Sequence, residues 1–176
     1  MADLAVVTEK KPREDERKIE GLSMVVFSSD LDKALAAFII ANGAAAMDIP
    51  VTMFFTFWGT NIMRREGPIQ LLEKKTFMEK MFGWMMPKGP NKLVLSKMNM
   101  GGMGTMMMKN EMAKKNVYNL PKLIQEARDQ GVRMIICTMS MDIMGFKKEE
   151  LLPGVEFGGV GKFMASADDS RTTLFI

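Results

Sequence analysis

Leu22 to Ser28 (LSMVVFS) is a short apolar, β-branched run, and it breaks off at Ser28-Ser29-Asp30, oxygen-bearing residues of the kind that cap a helix. Behind that cap, Leu31, Leu35, Phe38, Ile39 and Ala46 keep a helical spacing, which predicts a helix from Leu31 to Met47. Pro50 opens a second apolar run, Val51 to Phe57, and together these segments form a βαβ unit. Both strands are nearly continuous in apolar residues, as a parallel sheet covered on two faces requires.

Beyond the turn at Trp58-Gly59-Thr60, Leu71, Leu72, Met78, Met81 and Phe82 predict a helix over Ile69 to Phe82. Gly83 to Gly104 holds Pro87, Gly89, Pro90 and the Gly101-Gly102-Met103-Gly104 cluster, so the pattern predicts irregular chain with at most a short element near Leu93 to Lys97. Helices are expected over Thr105 to Lys115 and over Leu120 to Gln130, the latter with Pro121 in its first turn and Gly131 as its stop. Val132 to Cys137 is the third buried strand. Val155 to Phe157 and Thr172 to Ile176 are weaker strands around a helix at Gly161 to Ala167. The expectation is a three-layer α/β/α sandwich around a mainly parallel sheet of about five strands with right-handed crossovers.

Residues 1–18 are polar and aperiodic and read as a flexible leader, with one domain over 19–176 that carries a Met/Gly-rich insert at 83–115. At 176 residues such a chain buries roughly 70% of its unfolded surface, enough for a core without disulfides or structural metal. Neither half of the charge-poor stretch Ala34 to Met63 reaches the ~18 apolar residues of a spanning helix, so no integral membrane segment is expected. A net charge of +3, with 24 basic and 21 acidic residues interspersed, disfavours nucleic acid as a partner.

Histidine is absent, which removes every site that needs an imidazole. The single cysteine, Cys137, excludes an intramolecular disulfide, a CxxC pair and a four-Cys cluster, and a lone thiol suits the cytoplasm. Cys137 closes a strand at the edge where open parallel sheets gather ligands, and Thr138-Met139-Ser140-Met141-Asp142 follows as a short helical turn with Ser140 as its expected cap. Amide donors from that turn would favour the nucleophilic thiolate; the competing reading is a small hydrophobe finishing a strand. Exposure separates the two: an open sulfur favours chemistry, a sealed one packing.

Methionine is the other anomaly, with 21 residues, 11 of them between Met78 and Met112. Thioethers are soft ligands and Cu(I) is conceivable where several converge with Cys137. Lacking a partner imidazole, they are read as core, subunit interface or apolar groove, and no metal ligand or cofactor is assigned. Gly158-Gly159-Val160-Gly161-Lys162 is not a phosphate loop, since Phe163 stands where Ser or Thr should hold magnesium and Glu156 replaces the leading glycine. Gly101 to Thr105 is read as a close backbone approach rather than an anion site. Glu149-Glu150 and Asp168-Asp169 look like solvated helix ends.

The segment Cys137-Thr138-Met139-Ser140-Met141-Asp142-Ile143-Met144-Gly145, with Leu95 to Gly102 upstream and Gly154 to Val160 downstream, resembles the DsrE/DsrF-like sulfur-relay family in its larger, methionine-rich branch. The likeness covers Gly21 to Ile176. It implies an α/β sandwich, a homo-oligomer, sulfur donor and acceptor proteins as partners, and sulfur carried as a persulfide on Cys137. Thr138, Met139, Ser140 and Asp142 are the candidates to stabilise the sulfur anion, and Asn99, Met100, Gly101 and Gly102 to line a substrate or partner groove. Sulfur transfer, in the manner of a sulfurtransferase, is the leading expectation; the alternative is a non-catalytic module with a methionine-rich apolar groove or a soft-metal binder.

Overall fold

A computed structural model describes residues 21–71 and 75–176. The leader expected over 1–18 lies outside the described residues. In chain order the regular elements are β1 (Gly21–Val26), α1 (Leu31–Ala45), β2 (Val51–Phe55), α2 (Phe77–Met85), α3 (Met103–Lys114), α4 (Leu120–Asp129), β3 (Arg133–Cys137), α5 (Thr138–Met144), β4 (Glu156–Gly158), α6 (Val160–Asp168) and β5 (Ser170–Phe175). The five strands form one sheet, all neighbours parallel, in the order β4-β3-β2-β1-β5.

This order explains the layers. From β1 through β4 the chain steps one strand at a time in one direction, and then a single connection carries it back across the sheet to β5. Because parallel crossovers share one hand, the outward and returning connections fall on opposite faces. The outward helices α1 and α4 pack with Met24, Val26, Met53, Phe55, Met134 and Ile136 in the main core. Asn42 Nδ2 of α1 donates to the Leu123 carbonyl of α4 at 3.0 Å, and Phe38 stacks on Phe55 at 6.0 Å. The alternate residues of the same strands, Phe54, Ile135 and Cys137, face the other way and meet Phe163, the one buried residue of the returning helix α6.

Strand and helix boundaries differ from the sequence expectations in instructive places. The helix expected over Ile69 to Phe82 begins only at Phe77: Thr76 Oγ1 accepts from Glu79 N at 3.3 Å while Glu79 Oε2 accepts from Thr76 N at 2.6 Å, a reciprocal cap that fixes the start. Leu71 is outside any helix and Leu72 outside the described residues, and no residue of α2 is buried. α1 ends at Ala45, and Ile39 and Ala46 are exposed. Asp30 is its N-cap without a side-chain cap bond, because Ser28 Oγ donates to its carboxylate at 2.8 Å. The segment between α2 and α3 is irregular, as expected, with short 3-10 turns at Pro90–Lys92 and Met100–Gly102 and no regular element at Leu93 to Lys97. Among the described residues, no helix is long and apolar enough to cross a membrane.

Candidate functional site

Cys137 stands at the carboxyl end of β3, beside Gly158 of β4 in register, and serves as the N-cap residue of α5. The structure seals it: the residue is 1% exposed, under Phe163 and beside Phe54 and Ile135. Its side chain makes no cap hydrogen bond, so the amides of α5 are not engaged by the sulfur. The pleat accounts for this, since Ile136 faces the α1 and α4 layer and Cys137 therefore faces α6. Lys162 lies across Gly158, where an added Cβ would come within 2.5 Å of its side chain.

An ion cluster pins the strands beside the thiol. Arg133 of β3 meets Glu156 of β4 through two bonds, Nε to Oε1 at 2.8 Å and Nη2 to Oε2 at 2.9 Å, and Lys162 Nζ of α6 reaches Glu156 Oε2 at 2.7 Å. Hydrogen bonds from Arg133 and then Lys162 hold the Glu156 carboxyl at about 2, well below the usual carboxylate range.

The other candidate residues separate. Ser140 is not the helix cap; it lies within α5, fully buried. Its Oγ accepts from Phe57 N at 2.9 Å and shares a hydrogen bond with Thr56 Oγ1 at 2.9 Å, which ties α5 to the end of β2. Phe57 has φ +44, and Thr60 Oγ1 also donates to its carbonyl at 2.5 Å. Gly59 completes this turn because a Cβ there would come within 2.0 Å of the Val26 carbonyl. Thr138 is half-buried and Met139 is exposed. Asp142, also exposed, lines a cleft of about 570 Å3 with Glu79, Phe146, Lys147, Lys148 and Glu149.

Of the predicted groove residues, Met100 lines an apolar groove of about 650 Å3 between the 95–100 segment and α3. Asn99, Gly101 and Gly102 shape its turn instead. Asn99 Oδ1 accepts from Thr105 Oγ1 at 2.8 Å, and Gly102 N and Gly104 N donate to the Asn99 carbonyl at 2.8 and 3.0 Å. The glycine cluster is a close backbone approach, as a Cβ on Gly104 would come within 1.8 Å of the Met98 carbonyl. Cys137, Thr138, Met139 and Ser140 lie on neither this groove nor the cleft at Asp142.

One buried site escaped the sequence reading. Glu150, expected to be a solvated helix end, is 5% exposed and pairs with Lys75 and, at 3.5 Å, with Arg64. Arg64 is itself buried, its Cζ 4.4 Å over the Phe146 ring and its Nε without a partner. Desolvation lowers the Arg64 pKa against the opposing pull of Glu150. Charged pairs in sequence look alike whether solvated or buried, so only the tertiary contact reveals this cluster.

The family model described as DsrE/DsrF/DrsH-like matches residues 19–175. An uncharacterized protein, YrkE of Bacillus subtilis, is 53% identical over 154 residues, covering 88% of this chain and 95% of that protein. Sulfur carrier protein DsrE2 of Allochromatium vinosum is 35% identical over 163 residues, covering 88% of this chain and 97% of its own length. Among solved structures, the ychN protein of E. coli aligns with a TM-score of 0.51 at 12% identity, covering 89% of this chain and 99% of that one. MTH1491 of Methanobacterium thermoautotrophicum aligns with a TM-score of 0.52 at 14% identity, with the same coverages of 89% and 99%. At those identities the two structures speak to the fold alone.

Proposed function

The chain belongs to the DsrE/DsrF/DrsH-like family, and from that premise we propose that it is a sulfur carrier that holds sulfane sulfur on Cys137 and passes it to a partner. The observation that carries the reading is the likeness, at 35% identity over nearly the whole chain, to a protein named as a sulfur carrier, in a sequence with one thiol. That thiol ends a central strand at the edge of the sheet where ligands gather in open α/β folds.

The chemistry is an exchange without net oxidation. The Cys137 thiolate attacks the outer sulfur of a donor persulfide, R–S–SH. The donor S–S bond breaks, R–S leaves with the proton as R–SH, and Cys137–S–S⁻ forms. An acceptor thiolate attacks that outer sulfur in turn and regenerates the Cys137 thiolate. With a single cysteine, both steps are intermolecular, so donor and acceptor proteins are the partners, in the cytoplasm where a free thiol persists. We read residues 19–176 as one domain, with 83–115 as its insert, acting within a homo-oligomer.

Burial of the sulfur sets a condition on this reading. The closed form taken alone favours packing, so loading requires α6 to lift from the sheet, and Phe163 is the one buried side chain of that helix. Of the candidates, Thr138 follows the sulfur directly and would border it once opened, with Met139 at its surface side, whereas Ser140 stays bonded to Thr56 and Phe57 and Asp142 stays on its separate cleft.

Intact mass after incubation with a persulfide donor tests the proposal. The wild type should gain one sulfur atom, removed again by a thiol, and Cys137→Ser none. A native chain that gains nothing, while the urea-unfolded chain loads, would identify Cys137 as packing and overturn the carrier role.

A further inference from the structure

We propose that the groove between the 95–100 segment and α3 is a thioether site for a soft monovalent cation, Cu(I). Five of its eleven lining residues are methionines: Met98, Met100, Met103, Met107 and Met108. They are not core, since each is between 45% and 80% exposed. An apolar docking groove draws on leucine, isoleucine and aromatic side chains as readily as on methionine, yet this one has a single leucine, Leu95, and no aromatic residue. What distinguishes methionine from those residues is its soft, neutral sulfur, the ligand type that selects Cu(I).

The groove is also built rather than incidental. Met103 and Met107 are one turn apart on the same face of α3. Met98 and Met100 come from the facing turn, where both adopt positive φ, +56 and +47, a conformation rare for residues with a side chain. The Asn99 bonds to Thr105, Gly102 and Gly104 hold that turn, and Leu95 N donates to Thr105 Oγ1 at 3.0 Å from the other side. Methionines of a locked turn and of a helix thus line one groove.

Binding involves no redox step and no proton. The ion enters and leaves as Cu(I), and a thioether has no proton to release, whereas a thiolate, carboxylate or amine ligand must first be deprotonated. The ionisable groups on the groove walls are Asp32, Lys97 and Glu111. Affinity should therefore be flat between about pH 6 and 8, the range in which a thiol site strengthens steeply.

The test uses the full chain carrying Cys137→Ser, so that no thiol contributes and the result is separate from the carrier reading. Under anaerobic conditions with Cu(I) and a competing chelator, the chain should retain one ion, with equal affinity across that pH range. Met100→Leu with Met103→Leu should weaken retention by about tenfold or more, and Met106→Leu, which lies off the groove, should leave it unchanged. In protein labelled at the methionine methyls, Ag(I) should shift Met98, Met100, Met103 and Met107 and spare the buried Met24 and Met53. Loss of copper to the chelator in the Cys137→Ser chain, retention undiminished in the double leucine variant, or affinity rising with pH would each overturn the site.

Discussion

Replacing Phe163 with alanine tests the claim that α6 is the door to the sulfur. Phe163 stacks on Phe54 with ring centroids 5.1 Å apart and 21° between planes, and with Ile135 and Cys137 these rings form a small cluster apart from the main core. Truncating a buried phenylalanine costs about 3–5 kcal/mol, and the lower end applies because a short helix at the surface can settle into the space. If Cys137 reacts only after α6 lifts, that loss falls on the opening equilibrium. A thiol reagent in native buffer reads it directly, since labelling then proceeds at the unfolded-chain rate scaled by the open fraction. At about 1.4 kcal/mol per factor of ten, a 3 kcal/mol loss raises the labelling rate by roughly a hundredfold.

The wild-type chain should label far more slowly than the same chain in urea, and Met164→Ala, an exposed change on the same helix, should match wild type. Persulfide loading should accelerate in parallel with labelling. Two results would refute the reasoning. One is a Phe163→Ala protein that loses stability in urea yet labels at the wild-type rate, which would route access away from α6. The other is a wild type that labels as fast as unfolded chain, which would show that the thiol is not sealed at all.

Ser140→Ala should cost about 1 kcal/mol in urea unfolding, because it removes the part-buried bond from Phe57 N, and an effect below ~0.3 kcal/mol would mean the bond is dispensable. Glu150→Gln keeps the shape but leaves Arg64 and Lys75 buried without their counter-charge, for an expected loss of about 3–5 kcal/mol; an unchanged melting temperature would contradict this. The Glu156 carboxyl sits at about 2 when folded against about 4.3 when unfolded, so its contribution is present above the unfolded value and fades as pH falls through the folded one. Its side chain is 40% exposed, so the contribution is modest, and Glu156→Gln should show a shallower fall in urea midpoint between about pH 4.5 and 2 than wild type, identical slopes speaking against the pair.

The parts of the fold legible in the sequence are those where burial and local pattern agree. β1, β2, β3 and α4 fall within two residues of their apolar runs because both faces of a strand, or one face of a helix, are covered. α2 departs from the expectation because apolar periodicity does not by itself imply burial, and its apolar side chains, among them Phe77 and Trp84, are exposed. The correct signal was there in Thr76 and Glu79, the spacing of a capping box. At the candidate site, the position of Cys137 could be read but its cover could not, since Phe163 arrives through a connection that crosses the sheet. Ser140 likewise looked like a local cap, and its partners proved to be at the end of β2.

The sheet order itself makes the cover thin. Four strands are laid down in one direction, and two helices, α1 and α4, accumulate on the outward face, where Ala34, Ala37, Phe38 and Ala41 of α1 alone are all fully buried. The return to β5 happens once, so among the described residues a single nine-residue helix spans the opposite face, and it does so with one buried side chain while Val160, Met164 and the neighbouring Phe175 stay exposed. Buried apolar area governs the free energy of local opening, so α6 should part from the sheet well before the outward face does. A cysteine facing α1 would be reachable only by global unfolding. Cys137 faces α6, and under the proposed carrier role it is this difference of one residue in the pleat that would let a sealed sulfur be reached without global unfolding.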